Sequence, residues 1–153
     1  RIPRFDASND GGVRKMETVE QTFVAKLDVI PAMVEFVSAT AESFGVHPKR
    51  IMHLELAVEE ATANICSYAY EIPPGEVIVQ ITREPEMFRI KLIDSGVPFD
   101  PMAMETPDIK AELESRQVGG LGVFLIRRML DDVHYSRSGA QNILSLAVRY
   151  GEK

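Results

Sequence analysis

Glu60 and Asn64 lie in the run Leu54 to Tyr70, LELAVEEATANICSYAY. A carboxylate and an amide four residues apart stack on one side of a helix. There they could activate a hydroxyl and hold a metal ion, or simply form an i,i+4 pair on a wet flank. The octapeptide Ile93-Asp94-Ser95-Gly96-Val97-Pro98-Phe99-Asp100 puts a carboxylate at the end of an apolar run. Asp94 could accept from an exocyclic amine such as that of adenine, with Gly96 letting the backbone come close to a flat ring. The same residues also spell an ordinary Asp-Ser-Gly turn. Gly119-Gly120-Leu121-Gly122 opens a further apolar run. Glycines at a helix start expose backbone N–H groups to an anion, and the helix end adds positive potential; a hinge is the other use of such a cluster. Val123-Phe124 stand where a Walker A loop needs Lys-Ser/Thr, and no strand immediately precedes the glycines as a Rossmann turn requires.

The elements that must position these residues can be read from periodicity. Leu54, Val58, Ala61, Ile65 and Ala69 fall on one stripe of a helix reaching Tyr70, with Glu60 and Asn64 about a quarter turn from its centre. His47-Pro48 opens that helix and Ile72-Pro73-Pro74-Gly75 stops it. Upstream, Thr18 to Leu27 reads as an imperfectly alternating strand. Asp28 offers an N-cap, Pro31 a first turn and Gly45 a stop for a helix carrying Met33, Val34, Phe36, Val37 and Phe44. Glu76 to Arg83 and Met87 to Ile93 are strands joined by Glu84-Pro85-Glu86, and Val133 to Arg137 and Asn142 to Tyr150 form a terminal hairpin. Ser95 to Val118, with three prolines and little period, reads as a functional lid or a disordered connection, and Gly119 to Asp132 as a glycine-opened helix. Strands grouped in hairpins predict an α+β fold, a two-layer α/β sandwich of a mainly antiparallel sheet with helices on one face.

A chain of 153 residues is about one domain and buries a real core without staples. The division expected is a flexible arm or linker over residues 1–15, which hold Pro, Ser, Asn, Asp and a Gly11-Gly12 pair, and one domain over 16–153. The single cysteine, Cys66, excludes an intramolecular disulfide framework and reads as a packed thiol. A net charge of −6 argues against a nonspecific nucleic-acid binder, and no apolar run is long enough to span a membrane. A cytoplasmic protein is expected. His53 reads as a solvated helix residue and His134, beside Asp132, as structural or exposed.

In their order and separations the three stretches resemble the GHKL, or Bergerat, ATP-binding superfamily of gyrase, Hsp90, MutL and sensor histidine kinases. Within it they are similar to the small bacterial anti-sigma factor serine kinases of the RsbW and SpoIIAB type, from about Val19 onward. Glu59 to Asn64 matches the N box, Asp94 to Pro101 the adenine box and Gly119 to Gly122 the second glycine box; Gly122 to Arg128 also looks like these kinases. The resemblance implies that Asn64 coordinates Mg²⁺ on the phosphates of ATP and that Glu60 is the base for the attacking hydroxyl. It implies that Asp94 and Gly96 bind adenine, that Gly120, Leu121 and Gly122 serve the phosphates, and that Ser95 to Val118 is the ATP lid. It further implies a protein serine/threonine kinase that phosphorylates a STAS-domain anti-sigma factor antagonist and sequesters a sigma factor, as a homodimer. Alternatives are a non-catalytic ATP-binding regulatory module and the ATPase output domain of a longer signalling protein. The family's usual His in the N box is Tyr68 here, placed one turn past Asn64 and nearer the core stripe.

Overall fold

The computed structural model describes residues 16–72, 74–100 and 126–152. Among these residues five strands form one sheet in the order β1-β2-β3-β5-β4: β1 Glu17–Val24, β2 Glu76–Arg83, β3 Met87–Asp94, β4 Asp132–Ser138 and β5 Gln141–Arg149. Every neighbouring pair is antiparallel. The alternation in β2 and β3 explains the layer: Val77, Val79 and Ile81, then Phe88, Ile90 and Leu92, are fully buried while their neighbours are only partly covered. Each such side chain contributes about 1.5–3 kcal/mol relative to exposure.

Among the described residues the second layer is built chiefly from α1 Ile30–Ser43 and α2 Pro48–Asn64. Leu54, Val58, Ala61, Ile65 and Ala69 are all buried, as their stripe predicts, and join Met33, Phe36, Val37 and Phe44 of the first helical segment in one core with the sheet. Gly45 ends α1 with φ +82°, a conformation that costs other residues a clash at Cβ. His47 caps α2: its Nδ1 accepts from the Lys49 N–H at 3.1 Å, with Pro48 inside the first turn. Arg50, buried in that turn, donates to the carbonyls of Met129 and Gly151 and pairs with Asp131 at 3.6 Å.

Four details differ from expectation. β1 ends at Val24, and Leu27–Val29 forms a 3₁₀ turn with Leu27 exposed. Asp28 does not cap α1; Val29 holds the cap position and makes no side-chain bond there. Residues 126–129 are helical, but the chain has left the helix before Asp132, which begins β4. Most consequential, the α-helix stops at Asn64, and Ile65–Ala69 continues as a π-helical turn. A π turn spends an extra residue per rotation, so Ala69 still faces the core while Tyr68 swings out to 67% exposure. Tyr68 therefore does not approach the core stripe. The arm over 1–15, the lid beyond Asp100 and the glycine cluster lie outside the described residues.

Candidate functional site

The end of α2, the end of β3 and the start of β5 enclose a cavity. Asn64 and Tyr68 line it from the helical layer, Asp94 and Phe99 from β3 and its following loop, and Tyr135 and Asn142 from the terminal hairpin; Ala61, Ile65 and Leu144 add apolar wall. Asn64 and Asp94, thirty residues apart in sequence, thus meet on one surface. Glu60 is half-buried one turn before Asn64 and does not line this cavity. Burial, reinforced by the charge of Glu59, raises its carboxyl above the ordinary Glu value of 4.5. Such a shift suits a proton acceptor working nearer neutral pH.

Asp94 sits at the last position of β3 and is 5% exposed. Its Oδ1 accepts from the Gly96 N–H at 2.9 Å, closing an Asx turn, and from Nδ2 of Asn142, also at 2.9 Å. Among the described residues nothing donates to Oδ2, so a cavity-lining carboxylate keeps one oxygen for an outside donor.

Gly96 has a requirement of its own. A Cβ there would lie 2.2 Å from the carbonyl oxygen of Ala69. The close approach that demands glycine is to the end of the π turn, which also accepts the Val97 N–H at 2.7 Å. Tyr70 secures the same corner: its hydroxyl accepts from the Ser95 N–H at 3.0 Å and donates to the Glu76 carbonyl, while its ring fills the place of a side chain at Gly75. The Asp94 loop is thereby stitched to the helix that carries Asn64.

The sequence family described as the histidine kinase-like ATPase domain matches residues 23–148, from β1 to β5. The chain belongs to this family. Its α+β layering accords with that membership. Among curated relatives, the serine-protein kinases RsbW of Bacillus cereus (strain G9842) and Bacillus mycoides (strain KBAB4) are each 24% identical over 136 residues, 86% of this chain and 85% of theirs. The histidine kinase AdeS of Acinetobacter baumannii superposes with a TM-score of 0.49 at 11% identity, over 86% of this chain and 68% of its own.

Gly120, Leu121 and Gly122 lie outside the described residues. Asn142, Tyr135 and Arg137, which hold the Asp94 loop, carry no local motif and sequence reasoning did not find them; only the β3–β5 register, with Asp94 opposite Asn142, reveals the first. Cys66 is partly buried and packed on the core, and burial raises its thiol pKa, as suits an inert thiol. His53 is less solvated than expected: its Nδ1 is shielded and unpaired among the described residues, and burial, then Arg50 and Lys49, lower its pKa. His134 is exposed, 3.6 Å from Asp132. No helix among the described residues is long and apolar enough to cross a membrane.

Proposed function

We propose that the chain is an ATP-dependent serine kinase acting on an anti-sigma factor antagonist, and that it also sequesters a sigma factor. The observation that carries the nucleotide half of this reading is Asp94 Oδ2, unengaged among the described residues, in a cavity shared with Asn64. A bare carboxylate oxygen complements an exocyclic amine, and the apolar wall beside it suits a flat base. The RsbW relatives, named as serine-protein kinases, support the transfer half.

The residues present fit Mg²⁺-ATP by donor chemistry. Mg²⁺ keeps waters and phosphate oxygens and takes only one or two protein oxygens, so the Asn64 amide oxygen meets its demand without a dedicated acidic cage. Mg²⁺-ATP supplies the phosphoryl group and the neutralising charge; positioning supplies most of the rest. Asp94 and its loop orient the base. Asn64, on the adjoining wall, would hold the metal. Glu60, one turn along the same helix, accepts the proton of the incoming serine hydroxyl. Gly120, Leu121 and Gly122 are assigned to the phosphates from the family resemblance. Partner choice between antagonist and sigma factor, and a homodimeric assembly, belong to the same reading.

A competing reading, a non-catalytic ATP-binding module, draws on Glu60 standing outside the cavity lining. Phosphate incorporation from labelled ATP into an antagonist protein, run beside a binding titration, separates the two. Asp94→Asn should weaken ATP and ADP alike by about 1.5–3 kcal/mol. Asn64→Ala should lower Mg²⁺-dependent binding and transfer together. Glu60→Gln should keep binding and slow transfer by roughly 10²–10⁴-fold. Tight ATP binding with no transfer to any antagonist supports the binding module instead.

A further inference from the structure

Asn142 lies on β5 directly opposite Asp94 of β3 and is 5% exposed. Its Nδ2 donates to Asp94 Oδ1 at 2.9 Å and to the Val97 carbonyl at 2.8 Å. Its Oδ1 accepts from the Tyr135 hydroxyl at 2.5 Å, from Arg137 Nη1 at 3.1 Å and from the Phe99 N–H at 3.4 Å. The partners on the nitrogen side can only accept, and a guanidinium and a backbone N–H on the oxygen side can only donate. The amide therefore has one satisfactory orientation. Arg137 also donates to the Gly96 carbonyl at 2.9 Å, holding the loop on its other side.

The consequence falls on Asp94. With Gly96 and Asn142 both on Oδ1, the carboxylate cannot rotate without giving up two hydrogen bonds in a buried place, where each counts most. Oδ2 is thus presented as an acceptor and nothing else.

We propose that Asn142, itself oriented by Tyr135 and Arg137, is a positioning residue that locks Asp94 into this single presentation and so makes the cavity select a purine with an exocyclic amine over one with a keto oxygen. The proposal rests on the reading of Asp94 as the base acceptor. It adds a determinant that lies on another strand and acts through Asp94.

Titration of the full chain with ATP and with inosine triphosphate, which carries a keto oxygen in place of the amine, tests it. Among the described residues, the charged or titratable groups around position 142 are Asp94 from β3, Tyr135 and Arg137 from β4, and Tyr68 across the cavity. Asn142→Asp keeps the shape but sets two carboxylates against each other. At about pH 8 it should weaken ATP roughly 10- to 100-fold while changing inosine triphosphate little. Acidifying to about pH 5.5 lets one proton bridge the pair and restore the donor, so ATP affinity should recover, a trend the wild type does not share. Tyr135→Phe, a milder change, should reduce the ATP-to-inosine triphosphate affinity ratio roughly two- to tenfold with no such recovery. An unchanged ratio in both variants, or in Tyr135→Phe if the other does not fold, overturns the proposal, as does equal loss for both nucleotides. A wild type without measurable ATP affinity overturns the Asp94 reading and the proposal together; wild-type preference for ATP that both variants retain overturns the proposal alone.

Discussion

At the scale of single residues, Glu60 and Gly96 do work that their neighbours could not. Burial and the adjacent Glu59 raise the Glu60 carboxyl, so the neutral form is favoured by folding. Its contribution to stability is full below the ordinary 4.5 and is lost as pH rises through the raised value. Gln mimics the neutral acid. Glu60→Gln should therefore raise the melting temperature slightly at neutral pH and leave it unchanged near pH 4, read by thermal denaturation at the two pH values. If Glu60 is the base, the transfer rate should climb with pH through a midpoint above the usual Glu range, and the variant should lose that limb. Gly96→Ala drives a methyl into the Ala69 carbonyl and should cost about 1–3 kcal/mol, whereas Gly151, with open space around it, should accept alanine nearly freely. Urea unfolding of both variants checks the contrast. The sequence marks Gly96 for close approach to a flat ring, whereas the approach the structure shows is to the Ala69 carbonyl. That contact was not legible, because nothing local announces a meeting of residues 69 and 96.

At the scale of elements, the turns and caps were legible where backbone chemistry is local. Gly45 at a helix end, His47-Pro48 at a helix start and the alternating β2 and β3 all follow from residue type and spacing. The π turn was not legible, since Ile65-Cys66-Ser67-Tyr68-Ala69 keeps an α-helical pattern of apolar residues. Only packing of Ala69 against the Asp94 loop reveals that the extra residue is accommodated. Gly45→Ala meets no atom within 4 Å, so its cost is conformational alone, about 1–2 kcal/mol by the same unfolding measurement. A second element-level device joins β3 to its flanks: Arg89 donates to Glu84 at 2.8 Å, to Asp132 at 2.7 Å and to Ser145 at 2.8 Å. The Arg89 hydrogen bond holds the Asp132 carboxyl below its usual value, against the opposing effect of burial. That contribution is complete above the ordinary 3.8 and is lost as pH falls through the depressed value. Because Asp132 is partly exposed, the gain stays within about 1 kcal/mol. Arg89→Met should flatten the acid limb of a stability-versus-pH curve by that amount.

At the scale of the whole molecule, Asn64 and Asp94 lie on different layers, and the cavity exists only when both layers are assembled. A ligand there binds the folded chain and not the unfolded one, so ATP at about a hundredfold excess over its dissociation constant should add about 2.7 kcal/mol. For a chain of this size that is an upward shift of roughly 5–10 °C, and Asp94→Asn should remove most of it. The Val97 N–H bound to the Ala69 carbonyl at 2.7 Å gives this coupling a single atom to watch. That proton can exchange with solvent only when the loop lifts from the helix or the helix end unwinds. Its exchange rate is therefore a clock for the separation of the two layers, and a nucleotide that bridges them should slow it while leaving amides at the far end of the hairpin ticking as before.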